Sequence, residues 1–311
     1  MPGMVLIHNP HAKRLLKDPK KIAQYAYLLG HAGISFCTFT LEELRTALCQ
    51  AKAMGADIIA SNGGDGTNHV ILTEAIKVYA RAPLPNFAFL RGGTQNTIAN
   101  SLGIHGTTER ILHSIVLKYS QGKPLNTVKC NTLKVDNSYG FLFGMGMAAD
   151  FLKDYYDQKF LSPFYALWKI LKNIFGGFFN TRSFRRRFHA LHAKLYSGDE
   201  LLIERNFNII FCATVSNVGL GFKPFFRCND LMPGFHLLCL NEIPISRIIP
   251  ELPMAFWCRP LHPEKFFEMT TSRVEIDVGG PFTYTIDGDM LGCKTGVLAI
   301  SAGPVIDVIV E

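Results

Sequence analysis

One stretch, Asp57 to Ala75 (DIIASNGGDGTNHVILTEA), limits what the chain can fold into more than any other. An apolar run, Ile58-Ile59-Ala60, stops at Gly63-Gly64-Asp65-Gly66-Thr67. The residues after it put Val70, Ile71 and Ala75 on one side of a helix, with Asn68 and Glu74 off it. The pattern predicts strand, tight glycine turn, helix. Glycines at such a turn can take φ > 0 and bare their backbone N–H groups, and the following helix directs the positive end of its dipole at the same spot. That is a cradle for phosphate, although a plain β-turn-α connection shares the spacing. Asp65, a carboxylate in a cradle built for anions, implies a cation or a positioned nucleotide group beside it, and Mg²⁺ carried on phosphates would answer.

A second loop repeats the style. Asn86 to Leu90 reads as a strand, and Arg91-Gly92-Gly93-Thr94-Gln95-Asn96 leads into a short helix from Thr97 to Leu102. Two such βα units bringing their loops to one sheet edge strengthen the nucleotide reading. Upstream, Met4 to His8 fits a buried strand that runs into Asn9-Pro10-His11-Ala12-Lys13-Arg14, a polar turn placed where open parallel sheets bind ligands. Lys13 and Arg14 are candidate phosphate contacts or simply exposed loop cations. Pro19 to Ala32 reads as a helix, Ser35 to Phe39 as a strand, and Thr40-Leu41-Glu42-Glu43 as a capping box opening a helix to Met54. The βαβαβα order predicts a doubly wound parallel sheet with right-handed crossovers.

At 311 residues, 48% hydrophobic and 18% charged, the chain has room for two globular domains. The opening MPGMVLIHNPH has no basic n-region, and no charge-free apolar run reaches spanning length, so the expectation is a cytoplasmic protein. Eight cysteines without a CxxC pair argue for buried reduced thiols over a zinc site.

Taken together, the Asn9-Pro10 turn, GGDGT at 63 to 67, Gly93-Thr94-x-Asn96 with Leu102-Gly103-Ile104 behind it, and a late Asp287-Gly288-acid resemble the diacylglycerol kinase catalytic family in order and approximate spacing. GGDGT is also shared by sphingosine, ceramide and NAD kinases. The likeness is strongest from about residue 4 to 105 and looks like the bacterial lipid-kinase branch, which is related to sphingosine kinases. NAD kinases carry an Asn-Glu pair soon after GGDGT; the pair here, Asn241-Glu242, lies far downstream.

Beyond about Asn126 the pattern changes to short strands: Asn126–Val135, Tyr139–Gly144, Phe188–Tyr196, Leu201–Asn206, Ile209–Val215, His236–Leu240, Arg273–Val278, Thr283–Ile286, Val297–Ser301 and Val305–Val310. They predict an antiparallel β-sandwich or curled sheet, hence domains at 1–125 and 126–311. The resemblance implies the same: a β-rich lipid domain facing the nucleotide domain across a cleft. Lys159 to Lys194 interrupts the strands with eight cations, nine aromatic rings and no carboxylate. Such a stretch suits an anionic membrane interface, while Leu161, Tyr165, Trp168, Leu171 and Phe175 are equally spaced as a core-facing helix stripe. Single-stranded nucleic acid also binds such patterns; with no nucleic-acid module recognisable, none is assigned.

The resemblance implies an ATP-dependent lipid kinase with Mg²⁺, acting on a diacylglycerol-like or sphingoid hydroxyl at the inner membrane face, with a homodimer left open. Gly63, Gly64, Gly66 and Thr67 would hold phosphates together with Asn9, Gly93, Thr94 and Asn96, and Lys13 and Arg14 would screen charge. Asp65 would serve catalysis and, with Asp287, the metal. Asp289 stands where the family usually has a glutamate base, one methylene shorter; a bland Asp-Gly hairpin is the other reading of this turn. Three positions depart from the family: Ala12-Lys13-Arg14 replaces a Gly/Ser loop, Thr97 stands where many members have Asp, and Pro233-Gly234 replaces an Asp-Gly, with Asp230 close by. A soluble-metabolite kinase of the NAD type and a non-catalytic nucleotide- or lipid-binding member remain alternatives.

Overall fold

A computed structural model describes residues 3–93, 95–156, 190–219 and 221–311, without the side chains of Lys13, residues 154–156 and Ile245. Thr94 and most of the basic aromatic stretch, 159–189, lie outside the described residues. The chain forms two compact units, one of Met1–Cys130 with Val305–Glu311 and one of Asn131–Pro304.

In the first unit, β1 (Met4–His8), β2 (Gly33–Cys37), β3 (Ile58–Asn62) and β4 (Asn86–Phe89) run parallel in the order β2-β1-β3-β4. Met4 pairs with both Gly33 and Ile58, and Ile58 with Asn86. Every residue of β1 and β3 is buried, which is why these strands read as continuous apolar runs. The connections supply α1 (Lys13–Lys17), α2 (Lys20–Leu29), α3 (Leu41–Ala53), α4 (Asp65–Tyr79), α5 (Thr97–Ser101) and α6 (Thr108–Ser120). Helix α2 packs with α6, and α3 with α4. The capping box opens α3 as expected: Thr40 Oγ1 accepts the Glu43 N–H at 3.2 Å, and Glu43 returns to the Thr40 N–H at 3.3 Å. Lys13 and Arg14 fall in the one-turn α1 rather than in an open turn, because Ala12 starts a helical hydrogen-bond run to Leu16.

The sheet is mixed rather than wholly parallel. β5 (Thr127–Cys130) and the chain's last strand, Ile306–Ile309, extend it, the latter parallel to β4 and antiparallel to β5. The predicted strand Asn126–Val135 therefore divides at Asn131-Thr132, its first part completing this sheet and its second entering the other unit. A single cut at 125 does not describe this chain.

The second unit contains β6 (Leu133–Val135), β7 (Ser138–Gly140), β8 (Leu142–Gly146), α7 (Met147–Tyr156), β9 (Leu191–Ser197), β10 (Glu200–Ala213), β11 (Phe235–Asn241), α8 (Leu252–Phe256), β12 (Phe266–Thr271), β13 (Arg273–Asp277), β14 (Phe282–Ile286), β15 (Asp289–Cys293) and β16 (Val297–Ala302). Its strands form one antiparallel sheet, and β17 (Ile306–Ile309) then leaves it for the first unit. The strands predicted at 201–206 and 209–215 are one long β10. Its first half pairs β9; its second half pairs β8 and β11, with register shifts at Leu201/Ile203 and Phe207/Ile209. Residues from both halves, among them Leu195, Val274 and Ile300 from one and Phe143, Leu237 and Ile286 from the other, share one core cluster. A single sheet thus curls over its own interior, which gives the sandwich-like pattern without two separate sheets.

Candidate active site

Three adjacent parallel strands, β1, β3 and β4, end at the same edge of the first sheet and deliver Asn9, Gly63-Gly64 and Arg91-Gly92-Gly93 there. The two glycine loops lie backbone on backbone. A Cβ on Gly93 would come within 2.4 Å of the Gly64 Cα, and one on Gly92 within 2.8 Å of the Gly63 nitrogen. On Gly63 it would meet the Thr67 side chain at 2.4 Å. None of these residues is among those with positive φ, so the expected reason for the glycines is corrected: they permit close approach, not a left-handed turn.

The two helix N-termini at this edge are treated differently. Helix α4 starts from Gly64, and no described side chain caps it. Its first N–H groups therefore keep the positive end of a 15-residue helix available to an anion. Helix α5 starts from Asn96 in the left-handed region, φ 50°, and is capped from the other loop. Asp65 Oδ2 accepts the Thr97 N–H at 2.9 Å and Oδ1 the Ile98 N–H at 3.1 Å. Asp65 thus ties the two loops together. Burial pushes its carboxyl above the usual range, opposed by these two N–H donors.

The other predicted residues knit the same edge. Asn9 Nδ2 donates to Thr67 Oγ1 at 2.8 Å, and its Oδ1 accepts the His11 N–H. Asn96 turns both ends of its amide onto the Gly93 backbone, at 3.0 Å each, closing the 93–96 loop on itself. Gly66 and Thr67 sit in the first turn of α4. Arg14 is exposed and reaches the Arg91 carbonyl at 3.0 Å. Thr94 and the side chain of Lys13 lie outside the described residues.

Several supporting residues escaped the sequence reading. His8, fully buried, takes the Asn62 amide on Nδ1 at 2.9 Å and faces Ser35 Oγ with Nε2 at 3.0 Å. Because Asn62 Nδ2 can only donate, Nδ1 carries no proton, and the ring is the Nε2–H tautomer. Desolvation lowers the His8 pKa to about 4. Tyr25 stacks on the ring at 5.9 Å and gives its hydroxyl to Glu109 at 2.9 Å. Burial opposes ionisation of Glu109, but its own N–H, Tyr25 and Lys21 outweigh it and lower the pKa to about 2. Arg91, at φ 58°, donates to Asn100 Oδ1 and to the Ile104 carbonyl, bracing α5 from behind. The signal for Asn62 was present in its position one residue before GGDGT, and for Arg91 one residue before Gly92-Gly93. His8 gave none, since a histidine ending an apolar run reads equally as an exposed strand end.

In the second unit, Asp287 (φ 49°) and Gly288 (φ 95°) form a two-residue hairpin turn between β14 and β15, both at positive φ as a type I′ turn requires. The Asp287 carboxylate is buried and accepts the N–H groups of Phe141 and Leu142 at 2.9 to 3.1 Å. Asp289, half-buried, opens β15 opposite Ile286.

The comparisons agree with this geometry. Residues 3–128 match the family model of the diacylglycerol kinase catalytic domain. No curated protein matches the chain. Among solved structures, a diacylglycerol kinase from Bacillus anthracis covers 99% of this chain and 97% of its own at TM-score 0.67 and 15% identity. A yeast NADH kinase solved with NADH covers 100% and 84% at TM-score 0.50 and 10% identity. These likenesses show a shared two-part fold; the family match over residues 3–128 is what supports a kinase. The diacylglycerol kinase resemblance read from the sequence is thereby borne out over the first unit.

The residues present fit the nucleotide that such kinases use: the open α4 N-terminus offers anion donors, and the glycine loops keep side chains away from it. They fit Mg²⁺ less well. Both oxygens of Asp65 and both of Asp287 already accept backbone N–H groups, and no cluster of three His, Cys, Asp or Glu that could hold a metal occurs among the described residues. A cation here would need ligands from the phosphates themselves.

Proposed function

We propose that the protein transfers the γ-phosphoryl group of ATP to a hydroxyl of an apolar-tailed acceptor of the diacylglycerol or sphingoid kind. The observation that carries the phosphoryl-transfer half is the uncapped N-terminus of α4, set beside two glycine loops where a Cβ on Gly63, Gly92 or Gly93 would clash. When bound, ATP supplies the electrophilic phosphoryl group; positioning and charge neutralisation are what the chain must add. The first N–H groups of α4 would hold phosphate oxygens, with Thr67 fixed by Asn9; Arg14 would screen charge, and by the family resemblance Lys13 would do so too and Thr94 would hold phosphate. Asp65 acts as a positioning residue in this reading, since its carboxylate holds α5 and the Gly92-Gly93 loop in place. Asp289 would take the proton from the acceptor hydroxyl.

A lipid acceptor is favoured by a cavity of about 110 Å³ within the second unit. Ile209, Phe211, Leu238, Leu240, Leu252 and Phe266 are among its walls, and among the described residues Glu251 is the one charged residue that lines it. Such walls favour hydrocarbon over a polar acceptor, and a space this small takes the end of an acyl chain rather than a whole lipid. No described helix is long and apolar enough to cross a membrane, so a lipid would be met at a surface.

The test is transfer of labelled γ-phosphate, with Mg²⁺ in the buffer, to diacylglycerol, monoacylglycerol, sphingosine and ceramide in mixed micelles, with NAD in a parallel tube. Label on a lipid that disappears with Asp289→Asn is expected. Label on NAD alone would replace the lipid with a soluble acceptor, and ATP-dependent thermal stabilisation without any transfer would leave a binding protein.

A further inference from the structure

We infer that α8 and the turn after it form a contact with an anionic lipid bilayer. The inference rests on the reading of the protein as acting on a lipid, which gives such a contact its use; the observations on α8 stand apart from that reading. Helix α8 walls the apolar cavity through Leu252 and Ala255. At its end the same short helix leaves two large rings in water: Phe256 is 51% exposed and Trp257 67%. Aromatic rings at this exposure are costly in water and favourable at headgroup depth. They are held in place. Phe256 meets Phe222 edge-on at 6.2 Å and closes against Gly221, where a Cβ would lie 3.1 Å from the ring.

Charge decides the kind of surface that fits. From Pro244 to Pro260 the charged residues are Arg247, Glu251 and Arg259. Glu251 is buried, ion-paired with Lys265 and hydrogen-bonded to His262, so what the segment shows to water is two arginines. Lys223 joins them, exposed, with its N–H on the Ala255 carbonyl at 2.7 Å. The nearest carboxylates along the chain lie outside the segment: Glu242, which accepts the Asn206 amide just after β11, and Glu264 on the turn into β12. Paired rings flanked by three cations match the interface of a bilayer carrying anionic headgroups. A face for a second copy of this chain would need acidic or neutral complements instead. Docked this way, the helix that walls the cavity lies at the membrane surface, which places the cavity beside the phase from which an acyl chain comes.

The chain has two tryptophans, so Trp168→Phe leaves Trp257 as the reporter. The full-length Trp168→Phe protein, without nucleotide, would be mixed with vesicles of brominated phosphatidylcholine, with and without phosphatidylglycerol. Quenching of Trp257 on the anionic vesicles is expected. Arg247→Glu with Arg259→Glu should weaken binding by about tenfold or more, and Trp257→Ser should weaken it in the otherwise unaltered chain, both with unchanged melting temperature, since these side chains are exposed. Sedimentation with the vesicles while Trp257 emission stays unchanged would place the contact elsewhere and overturn the inference. Shielding of Trp257 that rises with protein concentration in the absence of lipid would also overturn it, making the ridge a self-contact. Transfer to diacylglycerol in detergent micelles is measured alongside. Quenching without any lipid phosphorylated sinks the acceptor reading alone, and phosphorylation without quenching sinks the membrane contact alone.

Discussion

Helices α4 and α5 begin at the same sheet edge, each after a glycine pair, and their N-termini are used in opposite ways. The N–H groups of α5 are satisfied by Asp65, a residue of the other loop; those of α4 meet no described side chain. The sequence offers no hint of this asymmetry, because Gly63-Gly64 and Gly92-Gly93 look like two copies of one device. What the difference teaches is that a carboxylate inside a glycine-rich signature can serve the backbone of the neighbouring loop. Asp65 closes one helix end so that the neighbouring end is held open in a fixed place.

Breaking the contact between the loops should have the largest effect. Gly93→Ala sets a methyl group 2.4 Å from the Gly64 backbone, so stability should fall by on the order of 3 kcal/mol and ATP should no longer raise the melting temperature. A variant that melts and binds ATP like the parent would show that the loops are not packed as described.

Acid should act nearly as strongly, through His8 beneath the α4 loop. Its folded pKa of about 4 lies below the unfolded value of 6.5, so the unfolded chain takes up the proton more readily. The stabilisation is present above pH 6.5 and is lost as pH falls toward 4, at most about 3 kcal/mol. His8→Gln should flatten the melting temperature across that window; an unchanged slope would assign the acid sensitivity to other groups.

Asp65→Ala leaves the Thr97 and Ile98 N–H groups without their acceptor, for a loss of about 2 kcal/mol. Amide exchange of α5 should quicken while the core strands stay protected. Asp65→Asn should fare little better, since a single amide oxygen cannot serve both donors and its NH₂ faces one of them. Full activity in Asp65→Asn would remove the cap from the mechanism.

The smallest expected change is the sharpest test of the asymmetry. Gly64→Ser would give α4 the side-chain cap that α5 already has. The backbone there, φ −96° and ψ −170°, suits a serine cap, although its Cβ would stand 3.3 Å from the Gly93 Cα. ATP affinity should weaken about tenfold, roughly 1.4 kcal/mol, with a melting temperature close to the parent. Unaltered affinity would mean that phosphates are held elsewhere.

Much of the first unit was legible because its signals are local. Alternating strands and helices, the Thr40 box and both glycine loops depend on neighbours within a few residues. Asp287-Gly288 was legible in its plain sense too, as a hairpin, while the burial of its carboxylate on Phe141 and Leu142 depends on a strand far away in sequence. The expectation of φ > 0 at Gly63 and Gly64 failed for the same reason: spacing shows that a residue has no Cβ, not what would have struck it. β12 and β15 were missed, since FFEMTT and DMLGC lack clean alternation and lie next to turn residues. The two strands merged in β10 were parted by Phe207-Asn208, a bulge that looks like a break when only the sequence is read. Asp65 stood out as a carboxylate inside the glycine cradle, and Asp287 and Asp289 by resemblance; that Asp65 and Asp287 accept backbone N–H groups from segments distant in sequence shows only in the geometry.

The return of β17 to the first sheet has a consequence for synthesis. Val308 sits beside Phe87, and Glu311 binds Lys118 and the Asn126 N–H. A ribosome that has finished residue 130 has therefore not yet made everything its first sheet requires. More than 170 further residues, the whole of the second unit, must emerge before the strand that lies between β4 and β5 exists. Until then β4 carries an open flank, and the glycine loops are assembled on an unfinished sheet. A stop codon anywhere from residue 131 to 305 thus reaches back to the first unit, and a fragment cut at residue 130 would not reproduce the domain it appears to contain.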